Sequence, residues 1–118
     1  MAFRPDQFNT LGGTIGAAGS LSTVIDTSGF DLHGLMLLPN GTAALVAGTI
    51  SFNVGYQNPG TLYPLVDSTN TAVSLPFSTT GVAYSFVATQ AIRPYRYVQV
   101  QTSVAQTNGA IVKIPVKL

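Results

Sequence analysis

The chain contains one histidine, so His33 is its only candidate for the imidazole base of a nucleophilic catalytic site. Asp31 lies two residues before it, and this pair with a Ser or Thr hydroxyl has the residue types of a hydrolase triad. No nucleophile-elbow motif accompanies the pair. We interpret His33 as a structural or surface residue and expect the protein not to be an enzyme.

The carboxylates also do not form a recognisable catalytic pattern. They are Asp6, Asp26, Asp31 and Asp67. Glycoside hydrolysis needs two carboxyl groups that face one cleft, whereas three of these aspartates stand beside turn residues, where Asp bonds its own backbone. Residues 26–31 offer Asp, Thr and Ser oxygens to a calcium ion, but without the regular acidic spacing of calcium loops. We therefore predict no catalytic residue, no metal and no cofactor.

Two further kinds of site are absent from the sequence. The chain has no Cys, which excludes disulfides and thiolate metal ligands. The glycine-rich segment 12–16 has neither the Lys nor the following helix of a phosphate-binding loop. Binding to a macromolecule is a better expectation than chemistry.

Tyrosine and arginine side chains are the best candidates for such binding. The five tyrosines are Tyr56, Tyr63, Tyr84, Tyr95 and Tyr97. They could form a sugar-stacking or protein-contact face, or lie at the edge of the core with their hydroxyls in water. The segment Arg93-Pro94-Tyr95-Arg96 combines two residue types enriched at interface hot spots; the alternative is the solvated start of a strand. We take Arg93, Tyr95 and Arg96 as candidate partner contacts.

The first twenty residues differ from the rest of the chain. Large apolar side chains are spaced there among glycines, a pattern too rich in Gly for a helix and too interrupted for a regular strand. A mobile terminus and an extended arm that docks onto a neighbouring subunit are both open. We predict a Gly-rich extended arm over residues 1–20, followed by a single domain over 21–118. The candidate contacts of the arm are Phe3, Arg4, Phe8 and Leu11, and we expect Ile15 to dock on the neighbour with them.

Charge is unusually scarce. Charged residues make up 8% of the chain, against roughly 25% in a typical soluble domain, and the net charge is +1. So few charges favour self-association, although a neutral surface coated with hydroxyls and amides is an alternative. The sequence has no clustered basic stripe for nucleic acid, no run of ~20 apolar residues for a membrane helix and no signal-peptide pattern. We expect no binding to nucleic acid or membrane.

The elements that would position these residues are strands. Apolar and polar residues alternate along Tyr95 to Val104 and along Ala44 to Tyr56, with the period of a strand. Gly- or Asn-containing turns separate about eight such segments. The predicted strands are 21–25, 32–38, 44–56, 61–66, 73–77, 82–89, 95–104 and 110–118. We predict an all-β, antiparallel β-sandwich, jelly-roll-like or Ig-like, with the last strand at a sheet edge because Pro115 interrupts it.

Three segments of this pattern resemble a known group of proteins. They are Thr49–Tyr56, Leu62–Asp67 and Ile92–Gln101. Their order and strand pattern resemble small β-sandwich proteins of tailed-phage virions, and the Arg-Tyr-Val-Gln-Val strand resembles those of discoidin-like or galactose-binding-like sandwiches. The likeness covers roughly residues 49–102 and carries no functional residue.

The resemblance implies a structural role in a phage particle. We expect a capsid cement (decoration) protein that binds the major capsid protein or other virion proteins, is located in the virion and is assembled in the host cytoplasm. It would form a homo-oligomer, with a trimer favoured at the threefold sites of a capsid. The alternatives are a tail, neck or fibre component, and a carbohydrate-binding module that uses tyrosines on a sandwich face.

Overall fold

The computed structural model describes residues 8–27, 31–32, 34–57, 60–85, 92 and 95–117. In these residues the chain forms strands and no helix. The strands are β1 (Phe8–Ile15), β2 (Gly19–Leu21), β3 (Ile25–Asp26), β4 (Asp31–Leu32), β5 (Gly34–Pro39), β6 (Gly48–Gly55), β7 (Tyr63–Pro64), β8 (Leu75–Phe77), β9 (Val82–Ser85), β10 (Tyr97–Gln106) and β11 (Ala110–Lys117). The prediction of an all-β chain is confirmed.

The strands form two antiparallel sheets. Sheet A has the order β1-β11-β5-β9, with β4 also on β11, and sheet B has the order β2-β10-β6-β7, with β3 on β10 and β8 on β6. The strands β2 and β3 both pair with β10, β4 and β5 both pair with β11, and β7 and β8 both pair with β6. When each of these couples is counted as one strand, the chain has eight strand positions, in the order 1-8-3-6 in sheet A and 2-7-4-5 in sheet B. This is the connectivity of a jelly roll, and it differs from the Ig arrangement. The predicted sandwich is confirmed.

The core lies between the sheets because every long strand alternates. On β11, Val112, Ile114 and Val116 are buried, and in sheet B the same is true of Val98 and Val100. Removing apolar surface from water contributes ~25 cal/mol per Å², so these alternating rows hold the two sheets together. The remaining core side chains are Ile15, Ile25, Leu32, Leu35, Leu37, Leu45, Ile50, Phe52, Val54, Leu65, Phe77, Ile92 and Ala110.

The prediction of an arm over residues 1–20 is wrong for residues 8–20. Strand β1 pairs with β11 without a break, from Phe8 opposite Lys117 to Ile15 opposite Ala110. Its glycines permit close packing, because a Cβ on Gly13 would lie 3.0 Å from the Thr23 hydroxyl and 3.1 Å from Ile25. Residues 8–20 are therefore part of the sandwich, and residues 1–7 lie outside the described residues.

The prediction that the last strand is an edge is also wrong. Strand β11 lies between β1 and β5 in sheet A. Lys113 pairs with Met36 on β5, and Val116 pairs with Leu32 on β4. Three residues of advance along β11 therefore lie opposite four residues of advance along its partner strands. This extra residue is a bulge opposite Pro115, and bulges are where an inner strand tolerates proline.

Candidate binding surfaces

Four strands of sheet B bring aromatic residues to one end of the sandwich. Tyr97 pairs with Asp26 on β3 and with Gly55 on β6, while Val54 pairs with Tyr63 on β7. Gly55 is essential to this arrangement, because a Cβ there would lie 2.9 Å from Leu62 Cδ2 and 3.0 Å from a backbone oxygen. The chain after β6 thus folds back closely over its last residue. We call Tyr56, Tyr63, Tyr95 and Arg96 the tyrosine end.

The backbone beneath the tyrosine end is held by a buried threonine. The Thr27 hydroxyl donates to the carbonyl oxygens of Tyr95, at 2.8 Å, and Arg96, at 3.0 Å. The Thr27 N–H donates to the Arg96 carbonyl at 2.7 Å. These bonds fix the two predicted contact residues at the start of β10.

Arg96 and the tyrosine rings make specific contacts at this end. The Arg96 guanidinium lies 3.5 Å from an Asp26 carboxylate oxygen and 5.0 Å from the centre of the Tyr97 ring, within cation–π range. The Tyr56 and Tyr95 rings are 5.7 Å apart and tilted by 48°, a favourable aromatic geometry. These contacts hold the side chains of Tyr95 and Arg96 in defined positions.

A shallow groove of about 290 Å³ lies beside these rings, lined by Tyr56, Gln57, Thr61 and Tyr63. The two tyrosines are 67% and 63% exposed. Two exposed rings with an amide and a hydroxyl between them can stack on a ligand and bond its polar groups. Chemically, this groove can bind but has no group poised for catalysis.

A second groove crosses β1 and β11 on sheet A. We call it the glycine groove; it has a volume of about 540 Å³ and is lined by Thr10, Gly12, Gly13, Thr14, Thr23, Ile111, Val112 and Lys113. Gly12 is opposite Lys113 in the strand register, so a long cationic side chain stands next to a position with no side chain.

Asp67 forms the one strongly bonded turn carboxylate in the described part of the chain. Its Oδ1 accepts from the Thr69 N–H at 2.8 Å, the Thr69 hydroxyl at 2.6 Å and the Thr71 N–H at 3.1 Å. The Thr69 hydroxyl first, and then the backbone N–H groups of Thr71 and Thr69, hold the pKa of Asp67 below its ordinary value of 3.8. Asp67 is thus an exposed, fixed negative charge.

The candidate contact residues have different outcomes. Tyr95 and Arg96 lie together at the tyrosine end, as described above. Ile15 is 2% exposed and lies within the core, which corrects the prediction that it docks on a neighbour. Leu11 is half-buried and packs against the same core, and its contact with a neighbour stays a prediction. Phe8 belongs to β1, and its side chain is outside the described residues, as are Phe3, Arg4 and Arg93.

The two most exposed tyrosines are Tyr56 and Tyr63; both belong to the possible tyrosine face predicted from the sequence, but neither is among the candidate partner contacts. The alternation along residues 44–56 predicts that Tyr56 faces the core with Val54, but Tyr56 lies beyond the end of β6 and is exposed. The available signal was its position directly before the turn residues 57–60.

Metal and membrane chemistry have no support in the described residues. Among them, no three His, Cys, Asp or Glu side chains lie close enough together to hold a metal ion. The described residues contain no helix that is long and apolar enough to cross a bilayer. His33 and the side chain of Asp31 lie outside the described part of the chain.

Comparison with known proteins places the chain in no family. No protein-family model matches it, and no curated protein matches it.

Proposed function

We propose that this protein is a non-enzymatic structural protein of a phage virion, a capsid cement protein that bridges neighbouring capsomers. The single observation that carries the proposal is a jelly roll formed by a chain that has only five Lys and Arg and four Asp residues. Viral capsid domains are one of the main uses of the jelly roll. Charge depletion is typical of the buried centre of interfaces.

The proposed mechanism is added buried area at the junctions between capsomers. A stable interface buries ~1,600 Å² in total, and repetition on a lattice multiplies weak contacts. Tyr56, Tyr95 and Arg96 at the tyrosine end supply the partner contact toward the major capsid protein, because Tyr and Arg dominate interface hot spots. The outer face of sheet A supplies the contact between copies.

Virions purified from the phage that encodes the protein provide the test. Quantitative mass spectrometry should find the protein in a fixed ratio to the major capsid protein. Adding the purified protein to heads that lack it should raise the temperature at which they rupture. Tyr56→Ala should reduce this effect, while Tyr84→Phe, at a side chain that packs against the core, should not. Absence from purified virions rejects the proposal, and presence only in tails or necks moves the protein to those structures.

A carbohydrate-binding module is the second candidate, and the tyrosine-lined groove is the observation that favours it. Lectin domains also use the jelly roll. Titration with neutral oligosaccharides should then change tyrosine fluorescence, and Tyr56→Ala should abolish the change. An unchanged signal across the oligosaccharides tested, together with incorporation into virions, leaves the cement protein as the function.

A further inference from the structure

The two adjacent glycines of β1 differ in what the fold requires of them. A Cβ on Gly13 would press on Thr23 and Ile25, as described above. A Cβ on Gly12 would meet only the Val112 carbonyl oxygen, at 3.9 Å, which is ordinary van der Waals contact. Glycine in a strand interior is normally unfavourable. A side chain at 13 would therefore require Thr23 or Ile25 to shift by a few tenths of an ångström, whereas one at 12 would meet no close neighbour, so the missing side chain at 12 keeps the glycine groove open.

The groove has a cation at its side. Lys113 is exposed and lies in register between Gly12 and Met36, with Ala83 next to Met36 on β9. Among the described residues no carboxylate pairs with Lys113. The groove thus combines glycines, apolar side chains and threonine hydroxyls with one positive charge, and a segment with exposed apolar side chains and one carboxylate complements it.

The chain contains such a segment at the opposite edge of the fold. Strand β7 is an edge of sheet B, and Tyr63 and Val66 are 63% and 40% exposed on the segment 63–67. The segment ends in Asp67. The hydrogen bonds that its carboxylate accepts from described residues all go to Oδ1, which leaves Oδ2 for a partner. The other described carboxylate, Asp26, is already 3.5 Å from Arg96.

We propose that the glycine groove binds residues 63–67 of a second copy of this chain, with an ion pair between Lys113 of one copy and Asp67 of the next. This inference rests on the proposed function, for which it supplies the contact between copies. The two surfaces are different, so the contact is heterologous and generates a ring if the rotation closes; a rotation of 120° gives a trimer. Pairing two glycine grooves face to face would instead oppose two lysines, which is unfavourable.

Three single variants test the contact. Lys113→Met and Asp67→Asn each remove one charge, and the asparagine keeps the Oδ1 acceptor that holds the turn. Gly12→Thr fills the groove with a residue that favours strands. Asp26→Asn is the matched control, since it removes a carboxylate that is engaged within its own copy.

The measurement is sedimentation equilibrium of the full chain over a range of micromolar concentrations, with a thermal melt of each variant. The unaltered protein should form a closed oligomer. Each of the three variants should weaken association by about tenfold or more, and Asp26→Asn should leave association unchanged. Gly12→Thr should melt at the same or a higher temperature, so its loss of association cannot be unfolding. Combining Lys113→Met with Asp67→Asn should weaken association no more than either alone, because the two changes remove one shared interaction.

Two results would overturn the inference: a monomer at every concentration, or an oligomer that tolerates Gly12→Thr and Asp67→Asn unchanged. Neither result bears on whether the protein is present in virions. Conversely, a ring that depends on Lys113 and Asp67 in a protein absent from virions would reject the proposed function and leave this contact intact.

Discussion

The outer faces of the two sheets differ in the polarity of their side chains. On sheet B, Asn53 donates to the side-chain oxygens of Gln99, at 3.2 Å, and Gln101, at 3.3 Å, and the Gln99 amide donates to the Ser22 carbonyl at 3.1 Å. On sheet A, the outward positions of the central strands include Ile111 opposite Leu38 and Lys113 opposite Met36. The described side chains of the sheet B face bond to one another, while the described outward side chains of β5 and β11 are apolar apart from Lys113.

The difference indicates which outer face would gain more free energy from being covered by a partner. A polar network with its hydrogen bonds made gains little from being covered, because desolvation offsets new contacts. An apolar strand face gains from every Å² removed from water. The contrast therefore favours sheet A over the amide face of sheet B as the place of the proposed contact between copies.

The largest expected effect comes from the two neighbouring leucines of β5. Leu37 is 1% exposed and faces the core, whereas Leu38 faces outward opposite Ile111. Leu37→Ala should lower the free energy of unfolding by ~2–5 kcal/mol, and Leu38→Ala by less than about 1 kcal/mol. Urea denaturation below the concentration of assembly measures both. Equal losses would mean that Leu38 is part of a packed core and that sheet A has no apolar outer face.

A matched pair of charges tests the contrast between the faces. Ile111→Lys places a charge on the outer face of sheet A, and Gln101→Lys places one on the outer face of sheet B. Burying an unpaired charge in an interface is costly, so Ile111→Lys should weaken association by about tenfold or more. Gln101→Lys should change it less than about twofold. Sedimentation equilibrium at constant salt gives both values, and the reverse ranking would move the interface to sheet B.

The smallest expected effect concerns the amide network itself. Asn53→Leu removes the donor to both glutamines and should lower the free energy of unfolding by ~1 kcal/mol without altering association. Ser51→Thr, a conservative change on the same strand face, is its control. Thermal and urea unfolding of the two variants provide the comparison. Stronger association of Asn53→Leu would show that the polar network keeps sheet B from becoming a second interface.

Much of the fold was predictable because strand periodicity is local. The alternations of β6, β10 and β11 are readable along the sequence, and they predicted buried rows that include Phe52, Val100 and Ile114. Residue type alone predicted Tyr95 and Arg96 as partner contacts, which stays a prediction, and the structure places the two residues together at one end of sheet B. The location of the protein in a phage virion and the identity of its partner remain predictions.

The errors occurred where pairing overrides local preference. Strand β1 was predicted as an arm because glycines weaken a strand signal, yet eight consecutive pairs with β11 hold it in the sheet. Pro115 predicted an edge, but a bulge on the neighbouring strand accommodates it. Both outcomes depend on which strand lies alongside, and no local pattern contains that information.

By itself, the sequence determined the strand composition, the inward rows and the scarcity of charge, because these follow from residue types and a period of two. Only the tertiary structure decided that Gly12 stands beside Lys113, since strand pairing joins residues from opposite ends of the chain. It also decided that Tyr56 and Tyr63 line one groove, because the chain after β6 folds back over Gly55. Surfaces that bind are made by neighbours in space, and the jelly-roll connectivity chooses those neighbours.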